Sequence, residues 1–224
     1  MPWRCAAGAA KSVRSDMVNA DAIIAERALA VRYAPADRRA ALAALFALDA
    51  RLRAIALAAR EPVIGLMRLT WWREALASLD TAPAPAEPLL RELERVVRPH
   101  VTGAALARLT DGWELLLDGD VDWAEVARER AWLFRLAEEV LGASDARVPV
   151  VGEAWARADL ALSWPAAGRS EPGVLDAAYA APWPRALRAL SALGLLVRVD
   201  AEAKSAAGSP RRVARLLAHR LTGR

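Results

Sequence analysis

The sequence predicts an all-α, single-domain fold, and three features carry that expectation. Alanine and leucine supply much of an apolar fraction of 55%, and both are strong helix formers. β-Branched and aromatic residues, which favour strands, are comparatively scarce, with aromatics at 6%. Apolar residues also recur at steps of three and four, the period of a helix with one buried face. A chain of 224 residues is long enough to bury one substantial core.

Asn19 caps a first helix that runs to about Tyr33. Pro35 stands where the next begins, since its missing N–H costs nothing in a first turn. Leu45, Leu48, Leu52, Ile55 and Ala59 then make one face of a long helix. Pro62 opens another, to about Leu79, with Ile64, Met67, Trp71 and Ala75 on its stripe. Thr81 to Pro88 is a proline-rich linker. Further helices are expected over about 89–98, 102–118, 123–142 and 149–163, with Asp122 as an N-cap and Gly142 as a C-cap. After Trp164, the residues Gly168, Pro172, Gly173, Pro182 and Pro184 leave room only for short helices. A basic helix from Arg211 to about Leu221 ends the chain. Residues 1–16 are expected to be a disordered N-terminal extension, with Met17 as a second plausible start, and residues 17–224 the helical domain.

The formal charge is +4 and the isoelectric point about 9.9. The excess is arginine interleaved with Asp and Glu, without the basic stripe and stacking aromatics that nucleic acid requires, so no nucleic-acid partner is expected. Contact of a basic face with an anionic membrane surface stays open. A single cysteine, Cys5, leaves no intramolecular disulfide and no thiolate cluster. His100 and His219 lack ligand-like spacing, so no metal site is expected. No apolar run reaches the roughly 20 residues of a membrane span. The expected location is the cytoplasm, with peripheral contact to the inner membrane as an extension of that reading.

Two segments carry a family resemblance. Arg32 to Leu48 and Glu61 to Leu76, the latter with Arg68-x-x-Trp71-Trp72-Arg73, resemble the opening of squalene and phytoene synthases. Weaker similarity continues through Trp132–Leu141, Val151–Leu160 and Gly208–Arg224. The resemblance implies a shortened helical bundle of the isoprenoid synthase type. Such enzymes join two prenyl diphosphates head to head, using two aspartate-rich motifs on facing helices to hold Mg²⁺. In that register the first motif falls on Arg53, Ala54 and Leu57, none of them acidic. The second falls in or soon after Val151–Ala161, where Glu153 and Asp159 stand six residues apart on different helix faces. Where the synthases have a small Ala-Gly step beside the isoprenoid, Glu129-Arg-Ala-Trp132 is bulkier and charged.

Leu45 to Arg53, followed by Arg60-Glu-Pro-Val-Ile-Gly65, is more similar to the non-catalytic branch that includes the mitochondrial complex I assembly factor. The resemblance therefore implies a non-catalytic assembly or lipid-binding helper near the inner membrane, without a cofactor. Its partner would be a prenyl lipid or a respiratory-complex subunit. The alternative is a prenyl transferase using farnesyl or geranylgeranyl diphosphate at an altered site, the one reading that needs Mg²⁺.

No catalytic residue and no metal ligand is expected. Asp49 and Arg53 stand at i and i+4, the favourable order for a helix ion pair. The competing reading aims Arg53 into the cavity, where a guanidinium in place of metal binds an anion. Arg68, Trp71, Trp72 and Arg73 are the other candidates for anion or ligand binding. Against that stands packing of both tryptophans and pairing of the arginines with Glu61 or Glu74. The central cavity is expected to be narrower than a prenyl synthase needs, with arginine at its mouth. The acidic run Asp118 to Glu125 reads as an interhelical turn rather than a cation site. In the last helix Arg211, Arg212, Arg215 and Arg220 oppose Val213, Leu216, Leu217 and Leu221, a face for docking on the domain or on a membrane.

Overall fold

The computed structural model describes residues 25–168, 171, 173–201 and 208–224. Asn19, Met17 and the expected extension over 1–16 lie outside them. Among the described residues all regular structure is helical, as the composition predicts. The helices are α1 (25–31), α2 (Arg39–Ala58), α3 (Pro62–Ser78), α4 (Pro88–Val96), α5 (Gly103–Ala107), α6 (Asp111–Glu114), α7 (Trp123–Arg130), α8 (Trp132–Leu141), α9 (Val148–Ala161), α10 (Arg188–Ala201) and α11 (Pro210–Thr222).

The long helix α2 organises the rest. Leu42, Leu45, Leu48, Leu52 and Ile55 recur every three or four residues, and all are buried. It starts at Arg39 rather than at Pro35, because the Pro35 carbonyl first closes a turn with the Arg38 amide at 3.0 Å. Helices α3, α4, α6 and α8 pack against α2. Helix α9 lies against α7, α8 and α10, and α11 closes on α10. The buried apolar side chains form one continuous cluster. Helices α8 and α9 come close because residue 152 is glycine: a Cβ there would stand 2.9 Å from Phe134 Cβ.

Several expectations need correction. The stripe Ile64, Met67 and Trp71 does not face the core; these residues are 42%, 65% and 47% exposed. Only Ala75 of that stripe is buried, together with Gly65, Leu69, Trp72 and Leu76. Helix α3 has two apolar faces, and the one with Gly65 packs closely, since a Cβ there would meet Ala59 Cβ at 2.8 Å. The helix expected over 102–118 is broken into α5, a 3₁₀ turn at Arg108–Thr110, α6, and a second turn at Leu115–Leu117. Thr110 Oγ1 donates back to the Ala107 carbonyl at 2.9 Å, a bond that bends a helix.

The segment over 123–142 divides at Ala131 into α7 and α8. Its caps are as expected. Asp122 Oδ1 accepts from the Ala124 and Glu125 amides at 2.8 and 3.2 Å, and Gly142 ends α8 in the left-handed conformation at φ 65°. After Trp164 there are not only short helices, because α10 runs for 14 residues. Residues Ala189 to Val197 are all buried in it, so it has no polar face to give a period. In α11, Arg212 faces inward while Leu217 and Leu221 are exposed. Arg212 is held there by Glu26, whose carboxylate accepts from Nε and NH2 at 2.9 and 2.8 Å, and by Asp200.

Asp80 and His219 give two tests of this packing. Asp80 caps α5 from outside the helix, its oxygens accepting from the Gly103 and Ala104 amides at 2.7 and 2.8 Å. Those bonds hold its carboxyl below the usual value. Asp80→Ala should cost about 1 kcal/mol in urea unfolding at neutral pH, as other lost caps do. The difference from wild type should shrink as pH falls below the ordinary carboxyl value of 3.8, where the cap is protonated in the unfolded chain. His219 is buried with Nε2 2.7 Å from Ser191 Oγ, and burial, with the charge of Arg188, holds the ring below its ordinary 6.5. The neutral ring is thus the folded form. Its contribution is complete above pH 6.5 and declines as the unfolded histidine gains a proton below it. Wild type should lose melting temperature relative to His219→Gln between pH 7 and pH 5; parallel curves would contradict this.

Candidate functional site

Four helices direct charged side chains to one buried point. Helix α2 supplies Asp49 on its inward face and Arg53 one turn later; α9 supplies Asp159 opposite. Arg130 is the last residue of α7, just before the break at Ala131, and there it turns inward. Asp49, Arg130 and Asp159 are all buried. Arg130 NH2 donates to Asp49 Oδ2 and Oδ1 at 2.9 and 3.2 Å. Its NH1 lies 2.9 Å from Asp159 Oδ2 and donates to the Ala156 carbonyl at 3.3 Å. Arg53 NH1 donates to Asp159 Oδ1 at 2.9 Å, while its NH2 donates to Ser163 Oγ. Arg27 of α1 reaches the same Asp159 oxygen at 2.6 Å. Trp113 Nε1 donates to Asp49 Oδ1 at 3.2 Å. The Trp113 ring stands 4.0 Å from the Arg130 guanidinium carbon, a stacking that favours the desolvated cation.

The two carboxylates are unequally supported. Burial pushes Asp159 up, but Arg130, Arg27 and Arg53 outweigh it and hold its carboxyl at about 2. Burial pushes Asp49 above its usual value, with Asp159 adding to the rise and Arg130 opposing it. The shifts differ in sign although both oxygens stand 2.9 Å from Arg130, because Asp159 has two further arginines and Asp49 has none. Asp49 is therefore the first of the pair to take a proton on acidification.

Arg53 thus neither pairs with Asp49 nor stands free for an anion: it is committed to Asp159. Arg73 likewise pairs not with Glu61 or Glu74 but with Asp111 and Glu114, at 2.6 and 2.7 Å, and bonds Thr110 Oγ1 at 3.0 Å. These acids lie 38 and 41 residues away, so the local pattern did not reveal them. The remaining candidates do converge. Arg68, Trp71 and Trp72 line a surface cavity of about 280 Å³ with Arg51 and Ile55. Trp72 is buried, Trp71 is not, and their rings meet edge to face at 5.4 Å.

Arg130, Arg27, Trp113 and Trp155 were not singled out from the sequence. One signal pointed at Arg130: the charged, bulky Glu129-Arg-Ala-Trp132 where the synthases have a small step. The cavity beside the buried cluster, lined by Arg27, Trp155 and Asp159 among others, is about 50 Å³, against roughly 300–1,000 Å³ for a small-molecule site. Among the described residues no three His, Cys, Asp or Glu side chains are grouped to hold a metal ion. Mg²⁺ wants several oxygens in an octahedron; Asp49 and Asp159 instead share one guanidinium. The described residues at this point do not fit that ion. No described helix is long and apolar enough to cross a membrane.

Compared with curated proteins and with solved structures, the chain has no significant match in either. A family model described as squalene/phytoene synthase matches residues 24–143. That span is more than half of the chain and holds Asp49, Arg53 and Arg130, with Asp159 beyond it. The chain belongs to the squalene/phytoene synthase family.

Proposed function

We propose that this protein is a non-catalytic member of the family, an assembly or lipid-binding helper working beside the inner membrane. The observation that carries the reading is Arg130 lying between Asp49 and Asp159. Facing helices that would present carboxylates to a divalent ion present them to a guanidinium instead. Its single positive charge lies within hydrogen-bond distance of both acids, and Arg53 and Arg27 take the other oxygen of Asp159. Removing the pair's attraction for a cation also removes the means of neutralising a diphosphate. The small cavity beside the cluster supports the same conclusion. By resemblance to the non-catalytic branch, the helper role is assigned to assembly of respiratory complex I, with a prenyl lipid or a subunit of that complex as its partner.

Incubation with farnesyl or geranylgeranyl diphosphate and Mg²⁺ should yield no condensed product. Turnover above a no-enzyme control would overturn the reading in favour of a prenyl transferase with an altered site. Arg53→Asp should not restore turnover, since it adds one acid and leaves Arg130 in place.

The internal cluster should also behave as a structural unit. Arg130→Met leaves two buried carboxylates facing each other and should cost about 3–5 kcal/mol in chemical unfolding. Combining it with Asp49→Asn removes the one carboxylate left without a cation, while Asp159 keeps Arg53 and Arg27, and should recover a large part of that loss. Equal stability of the single and double variants would mean that Arg130 and Asp49 are not energetically coupled.

A further inference from the structure

The first turns of α3 carry an apolar strip that no other part of the described fold covers. Val63, Ile64, Met67 and Trp71 fall on one face of the helix, and all are exposed, Val63 to 65%. Side chains of this kind cost free energy when left in water, and a contiguous set marks a contact surface. Beside the strip lies the cavity of Arg51, Ile55, Arg68, Trp71 and Trp72. Arg51 rests over the Trp72 ring at 5.7 Å; it is half-exposed and only loosely paired, with Glu87 at 4.0 Å. Arg68, and Arg60 just before the helix, have no hydrogen-bond or ion-pair partner among the described residues. Glu61 and Glu74 stand beyond the two ends of the strip, leaving its middle flanked by arginine.

We propose that this face seats the protein on an anionic phospholipid bilayer, with the strip entering the headgroup boundary and Arg51 and Arg68 receiving a lipid phosphate. The inference rests on the reading that the protein works beside a membrane, and it supplies the contact. From Val63 to Trp71 the strip spans about 12 Å of helix. A stable protein partner needs roughly 20–30 residues a side, whereas an interfacial helix needs only a few apolar side chains sunk about 5–10 Å. Tryptophan favours the headgroup level. Arginine spreads its stem over apolar surface while its guanidinium meets a phosphate oxygen pair.

The test is co-sedimentation of the full chain with phosphatidylcholine vesicles, with and without phosphatidylglycerol. Binding is expected only with the anionic lipid, and it should weaken as salt rises. Arg68→Glu should lower the affinity about tenfold or more, since it removes one attraction and adds a repulsion. The pair Val63→Asp and Met67→Asp should abolish binding while leaving the circular-dichroism melt unchanged, because neither side chain is packed. Soluble glycerol phosphate should not compete. Failure to bind anionic vesicles would overturn the proposal, as would binding indifferent to both sets of substitutions. A concentration-dependent dimer abolished by the paired aspartates would overturn it too, in favour of an interface between two copies. Prenyl transfer by a chain that does bind vesicles would remove the non-catalytic reading and leave this surface standing; no transfer and no binding would do the reverse.

Discussion

Arg130 reaches Asp49 on α2 and Asp159 on α9 at equal distances of 2.9 Å, so one side chain ties together three helices. Much of the architecture follows from keeping that side chain paired. A guanidinium taken out of water alone costs several kcal/mol, and each carboxylate would cost as much. The break at Ala131 turns the end of α7 inward, Trp113 covers the guanidinium face, and Arg53 and Arg27 complete the coordination of Asp159. The close approach of α6 belongs to this arrangement as well, since a Cβ on Gly112 would stand 2.8 Å from Arg130 Cγ.

The elements legible in the sequence are those whose burial is one-sided. Helix α2 has a clean apolar stripe on Leu45, Leu48, Leu52 and Ile55, and it packs on that stripe. Asp122 and Gly142 were readable because a cap is local chemistry between neighbouring residues. Helix α10 escaped notice for the opposite reason: buried on nearly every side, it offers no contrast between faces. Helix α3 misled because it has two apolar faces, and only the close approach at Gly65 decides which one packs.

The site was half legible. Arg53 was picked out as a charge where the family has an acid, and the structure brings it to the facing helix. Its partner Asp159, 106 residues away, had looked like an isolated acid. Arg130 shows only as a bulky intrusion in a stretch where small residues belong, and its partner Asp49, 81 residues distant, has Arg53 as a nearer neighbour of opposite charge. Pairing over such separations leaves no local periodicity, so sequence spacing favours the wrong partner whenever a nearer one of opposite charge exists.

The fork of Glu26 on Arg212 joins residues 186 positions apart. On the ribosome, α1 emerges long before its anchor, and the same segment carries Arg27, which braces Asp159. The amino-terminal helix must therefore wait through nearly all of synthesis before its buried carboxylate is neutralised. Helix α11 closes the molecule as a clasp rather than a tail. A stop codon before residue 212 removes nearly all of α11, so that Glu26 loses its fork and Ser191 its histidine together.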